Sequence, residues 1–168
     1  MNKEKTVVSY VRGVKSLGYS FYVSKGKCQL TVHPKSKAKM KARLKELTSR
    51  SNGWGYAKRK QKLKEYIRGW VGYYHLANMK RLLQETDEWL RRRIRMCIWK
   101  SWKRIKTRIV NLVRCGMDKY QAYMWGNSRL GYWRVADSPI LKMAISNDSL
   151  RKTGYVTLMG SYLEWHPK

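Results

Sequence analysis

The 168-residue chain carries 38 Lys and Arg against 10 Asp and Glu, a formal net charge of +28, which points to a polyanion as its partner. Hydrophobic residues still make up 43% of it, with 8 Trp and 12 Tyr, so a disordered basic tail is excluded and one compact domain or two small modules are expected. Cys28, Cys97 and Cys115 are odd in number and widely spaced, a pattern that fits neither a disulfide framework nor a zinc site and predicts a reducing cytosol. No apolar run follows Met1–Thr6, and uncharged stretches such as Gly154 to Leu163 are far shorter than a membrane span, so neither a signal peptide nor a transmembrane helix is expected.

Residues 6–33 alternate apolar and polar positions. Tyr19, Phe21 and Val23, then Cys28, Leu30 and Val32, flank Lys25-Gly26-Lys27 and predict a β-hairpin. Pro34 suits a first helical turn, where a missing donor costs nothing, and Met40, Leu44 and Leu47 follow at helical spacing among seven Lys or Arg between Lys35 and Arg50. Ser49 to Gly55 reads as a loop. From Ala57, the positions Leu63, Tyr66, Ile67, Trp70, Val71 and Tyr74 give the clearest helical rhythm. Asn78 is placed to cap a third, strongly basic helix with an apolar stripe of Leu83, Leu90, Ile94, Cys97, Ile98 and Trp102. A fourth carries Ile105, Ile109, Leu112 and Val113 and ends near Gly116. Asp118 is placed to cap a short helix to Trp125, and Gly126 to Gly131 reads as a loop. Ser138-Pro139 starts another short helix, and Leu150 to Leu163 is assigned to a last one.

Catalytic groups are scarce. Two-metal chemistry needs closely placed carboxylates, yet Asp87, Asp118, Asp137 and Asp148 are scattered, and the adjacent Asp87-Glu88 pair reads as helix-dipole and salt-bridge chemistry on a basic helix. His33, His75 and His166 are far apart in sequence, without a partner at nucleophile or metal spacing, and read as turn or surface residues. Basic charge interleaved with aromatics dominates instead, from Trp89 and Arg91 to Lys106 and Arg108. Such cations bind phosphates while any exposed ring stacks on an unpaired base; Trp89, Trp99 and Trp102 themselves read as core. The Trp-rich cationic helix also suits an anionic membrane surface, but the ordinary core-facing stripes of the other helices favour nucleic acid. Asn127, Arg129 and Arg134, beside Tyr132 and Trp133, read either as an RNA-gripping loop or as a structural turn with Trp133 as its anchor.

Ile67 to Ala77 (IRGWVGYYHLA) and Asp87 to Arg108 (DEWLRRRIRMCIWKSWKRIKTR) closely resemble the maturase-specific domain of bacterial group II intron proteins. Tyr123 to Leu141 (YMWGNSRLGYWRVADSPIL) looks like the continuation in compact members that lack an endonuclease domain. Upstream, Asn2 to Thr6 resembles the reverse-transcriptase block after the catalytic Asp-Asp strand, and Leu17 to Tyr22 is similar to the primer-grip hairpin, with Ser16 where the family usually has Phe. The fingers, most of the palm and the Tyr-Ala-Asp-Asp strand are not found.

The resemblance implies a mainly α protein in three parts: a palm-remnant β-hairpin over 1–33, a three-helix thumb and maturase bundle over 34–104, and a smaller helical nucleic-acid-binding module over 105–168. It implies RNA contacts at Arg68, Arg91, Arg92, Arg93, Lys100, Lys103, Arg104, Lys106, Arg108, Asn127, Arg129 and Arg134. The implied partner is group II intron RNA, with target DNA, a template–primer duplex or a separate fingers-and-palm chain as further partners and no membrane. No catalytic residue and no cofactor of the chain's own are expected, Mg²⁺ entering only through the bound RNA or a palm. A bacterial cytoplasmic splicing factor is the reading that follows. A subunit of a split reverse transcriptase and a decayed fragment are the alternatives.

Overall fold

Alternating residues pair and helical stripes pack largely where the sequence places them in the computed structural model, which describes Tyr10, Val11 and residues 14–167. Strand β2 (Tyr19–Ser24) pairs antiparallel with β3 (Lys27–Val32). Lys25 (φ 51°) and Gly26 (φ 71°) form the two-residue turn between them, both in the left-handed region that matches the twist of a tight hairpin. A short β1 (Lys15–Ser16) adds a third strand on the far edge of β2. The part of the hairpin expectation before Tyr10, and the resemblance at Asn2 to Thr6, lie outside the described residues.

Nine helices follow among the described residues, so the protein is mainly α. Helix α1 (Pro34–Leu47) starts at Pro34 as expected, and His33 Nδ1 accepts from the Lys35 amide (3.1 Å) as its cap. Helix α2 (Tyr56–Tyr74) buries Arg59, Leu63, Ile67 and Val71, an i, i+4 series on one face. The sheet docks on its C-terminal end: Tyr19 Oη donates to the Tyr73 carbonyl (2.5 Å) and Tyr73 Oη to the Leu17 carbonyl (3.0 Å).

Helix α3 (Lys80–Ser101) is not capped by Asn78. Met79 holds the N-cap position without a side-chain bond. Asn78 is drawn to the sheet instead: its backbone amide donates to the Leu30 carbonyl (2.9 Å) and its side chain to Tyr22 Oη (3.2 Å). Helix α4 (Ile105–Arg114) ends just before Gly116, as expected.

Asp118 caps α5 (Lys119–Gly126) through the amides of Tyr120 (2.9 Å) and Gln121 (3.3 Å). Gly126, expected in a loop, is the last residue of α5 because the helix crosses α4 there; a Cβ on Gly126 would lie 2.5 Å from Ile109 Cγ1. Two short helices follow, α6 (Tyr132–Val135) and α7 (Pro139–Ala144), the second capped by Ser138. The single helix expected over Leu150 to Leu163 is two, α8 (Asn147–Lys152) and α9 (Leu158–Trp165). Gly154, at φ 92°, turns the chain out of α8 in a conformation that a side chain disfavours, and the Thr157 hydroxyl, accepting from the Gly160 amide (3.0 Å), starts α9 afresh.

One continuous set of buried residues runs from Val32 and Met40 through Leu63, Leu83 and Trp99 to Leu141, Leu158 and Tyr162. Asp87 explains how α9 is held in it. On the sequence its carboxylate serves its own basic helix; in the fold it lies on the buried face of α3 and accepts the amides of Leu158 (2.8 Å) and Met159 (2.9 Å), capping the N-terminus of α9 across the core. Among the described residues no helix is long and apolar enough to cross a membrane.

Candidate nucleic-acid interface

Helix α3 sorts its cations by where its turns point them. Arg92 donates to the Trp133 carbonyl through Nε (3.2 Å) and Nη2 (3.0 Å), lies over the Trp133 ring at 4.0 Å, and pairs with Asp137 (3.3 Å). The Lys142 ammonium bonded to Asp137, with Arg92 beside it, holds that carboxyl below the usual range. Arg93 donates to Thr48 Oγ1 (2.6 Å) and to the carbonyls of Lys45 (3.0 Å) and Thr48 (3.1 Å), satisfying the C-terminal end of α1. Arg95, buried, does the same for α7 through the Ile145 carbonyl (2.9 Å). These guanidiniums bind helices together, so their donors are already engaged.

The cations at the end of α3 and the start of α4 differ. Lys100 donates to the Arg50 carbonyl (2.8 Å), and Arg108 donates to the Trp102 carbonyl (3.0 Å) while lying over Trp99 at 4.9 Å. Between them Lys103, Arg104 and Lys106 are exposed, and among the described residues their side chains make no hydrogen bond or ion pair. Trp99 and Trp102 are buried and meet edge to face at 5.7 Å, as core rather than stacking surfaces; Trp89 is half-buried under Arg93. Half-buried Arg91 lines the cleft between α3 and α7–α8, and Arg68 on α2 reaches Glu164 of α9 at 3.8 Å.

The segment after α5 is more than a buried turn. Asn127 donates to the Tyr123 carbonyl (2.8 Å), closing α5, while Arg129 and Arg134 are exposed and make no side-chain hydrogen bond or ion pair among the described residues. Tyr120 and Tyr123 on α5 are 71% and 63% exposed, a large aromatic area for a folded surface. The structure thus brings Lys103, Arg104 and Lys106 onto one helix junction, and sets Arg129 just before α6 and Arg134 within it, whereas Arg92 and Arg93 lie within packed contacts.

His75 and His166, far apart in sequence, meet: His166 Nε2 is bonded to the His75 carbonyl (2.8 Å), and the His75 ring stacks on Trp165 at 4.6 Å. They fasten α9 to the end of α2. Among the described residues no group of three or more His, Cys, Asp or Glu is placed to hold a metal ion. Sequence reasoning missed Arg59, which is buried on the α2 core stripe; its position four residues before Leu63 was the available signal.

Residues 37–116, from the first turn of α1 through the end of α4, match the family model described as group II intron, maturase-specific domain. Over that span the chain is similar to a group II intron maturase-specific domain. Among curated proteins, none matches the chain. The matched span contains Lys103, Arg104 and Lys106 together with the buried tryptophans Trp99 and Trp102, so the exposed cations of the α3–α4 junction lie within it. Such a domain belongs to group II intron splicing and is not itself catalytic.

Proposed function

We propose that the chain binds group II intron RNA and promotes its folding and splicing, with the ribozyme supplying the chemistry. The observation that carries this reading is the exposed, unpaired set Lys103, Arg104 and Lys106 inside the matched maturase-specific span. Each such cation is free to meet a phosphate and release counterions, a gain that Arg92 and Arg93, engaged with carbonyls of neighbouring elements, give up. Exposed Arg129 and Arg134, and exposed Tyr120 and Tyr123 on α5, add charge and base-stacking surface suited to unpaired loops. In a protein that also has fingers and palm, the same helices would act as a thumb against a template–primer duplex, and Mg²⁺ would enter with the RNA or the palm.

Filter binding to group II intron RNA and to an unrelated duplex, across a range of salt, tests this. Changing Lys103, Arg104 and Lys106 together to Gln should lower the logarithmic salt slope by about 2 to 3, at 0.7 to 0.9 per phosphate. The same change at Lys25, Lys27 and Lys152 should lower it less. Changing Asn127, Arg129 and Arg134 should reduce the preference for intron RNA more than total affinity. Equal losses from both charge sets, with no intron preference in the parent, would reduce the protein to a nonspecific polycation.

A further inference from the structure

The loop between α1 and α2 leans over the C-terminal end of α3 and leaves a cleft of about 420 Å³. Four cations line it, Arg50, Arg59, Lys100 and Lys103, and no Asp or Glu does. By contrast, the larger cleft between α3 and α7–α8, about 720 Å³, is lined by Glu85, Glu88, Asp137 and Asp148 as well as by arginines, so its charges are answered from within.

Two features distinguish the smaller cleft. Helix α2 begins in its wall with Gly55 as N-cap, no side-chain cap and no acidic residue in its first turn, so its leading amides and the positive end of a 19-residue helix are unanswered. Independently, Arg59 is only 6% exposed and lines the same cleft; its Nη2 donates to Asn52 Oδ1 (3.1 Å), but its Nε has no partner among the described residues. A buried guanidinium is costly unless its donors are answered, and Arg59 holds its charge and its unfilled donor capacity in the wall of a cleft that offers no carboxylate. The loop is held in shape by Asn52, which donates to the Leu47 carbonyl (3.3 Å) and accepts from the Trp54 amide (3.2 Å). Beneath it, burial pushes the Cys97 thiol up, while Arg59, Arg93, Arg50 and Lys100 gathered around it act the other way.

We propose that this cleft is a phosphate-binding site and that its occupant is one phosphodiester of the bound RNA backbone. A guanidinium fork, two ammonium groups and helix amides present donors from several directions, as a tetrahedral oxyanion with several free oxygens requires. A bare phosphate would leave much of 420 Å³ empty, whereas a phosphodiester brings its sugars with it. The identity of the occupant rests on the RNA-binding reading; the phosphate chemistry of the cleft does not.

The test has two arms, both on the full chain, with the double variant Arg50→Gln/Lys103→Gln, which changes only the cleft's two exposed cations, and the control Lys27→Gln/Lys152→Gln. In the first, melting temperature is followed as inorganic phosphate replaces chloride at constant ionic strength. A saturable rise should appear in the parent and the control and be lost in the cleft variant; no saturable rise in the parent, or an equal rise in all three, overturns the site. In the second, intron RNA binding is titrated across salt. If Arg50 and Lys103 converge on one phosphate, the cleft variant loses a slope of about 0.7 to 0.9, whereas a loss of about twice that would mean separate phosphates and overturn the shared site. A phosphate-dependent rise with no RNA effect in the cleft variant would assign the cleft to free phosphate and overturn the RNA occupant. A parent that binds no RNA yet keeps the rise would defeat the splicing reading and leave the phosphate site standing.

Discussion

Replacing Asp87 with Ala removes the one side chain that caps α9 from across the core. Leu158 is fully buried, so its amide would lose its only acceptor in a place that water does not reach, while the partly buried Met159 amide would lose a charged one. An orphaned buried donor costs about 1 to 3 kcal/mol and a lost cap about 0.5 to 2. Set against these is the relief of no longer burying a carboxylate, which leaves a net loss of about 2 to 3 kcal/mol. For a chain of this size that lowers the melting temperature by about 4 to 12 °C, readable by circular dichroism alongside urea unfolding. Asp87→Asn keeps one acceptor and should lose less. Burial pushes the Asp87 carboxyl up, outweighing its two amide bonds, so the folded state keeps this proton to higher pH than the unfolded chain does. Its contribution to stability therefore falls as pH rises from about 4 through the folded value, and the parent should gain on Asp87→Asn as pH drops through that window. An Asp87→Ala protein within about 0.5 kcal/mol of the parent would refute the capping argument, and the opposite pH slope would show that the amide bonds, not burial, control the group.

Gly126→Ala should cost about 1 to 3 kcal/mol, because the new methyl meets Ile109 Cγ1 at 2.5 Å; Ile109→Ala in the same chain should recover part of that loss, and additive losses would count against the contact. Arg93→Met, which strips three hydrogen bonds from the end of α1, should lower urea stability by about 2 kcal/mol, whereas Lys103→Gln should leave it nearly unchanged; equal effects would erase the division between packed and exposed cations. Burial pushes the Tyr155 phenol up to about 12, so the folded state keeps this proton longer than the unfolded chain and the group's contribution to stability falls between about pH 10 and 12. Its hydroxyl is buried without a partner among the described residues, so Tyr155→Phe should be as stable as the parent at neutral pH and lose less stability on going alkaline; a clearly destabilised variant would reveal a hydrogen bond at that hydroxyl.

Local chemistry was enough to read much of this protein from its residues. The hairpin follows from alternation around Lys25-Gly26, α1 from Pro34, α2 and α3 from apolar stripes, and α5 from Asp118, because turn, cap and periodicity signals act over a few residues. The maturase-like segments and the great cationic excess are likewise properties of the chain itself. Contacts between distant residues were not legible. Asn78 looked like a cap until the Leu30 carbonyl and Tyr22 claimed it, and Asp87 serves a helix that begins 71 residues later. Among the cations from Arg92 to Lys106, only the packing of α1, α6 and α7 decides that Arg92, Arg93 and Arg95 on α3 hold carbonyls while Lys103, Arg104 and Lys106 at the α3–α4 junction face solvent. The cleft at the start of α2 has the same origin, since Arg50, Arg59 and Lys103 converge only when the loop folds over α3. Charge is written in the sequence, but whether a charge is satisfied depends on which carbonyls the fold brings within hydrogen-bond reach.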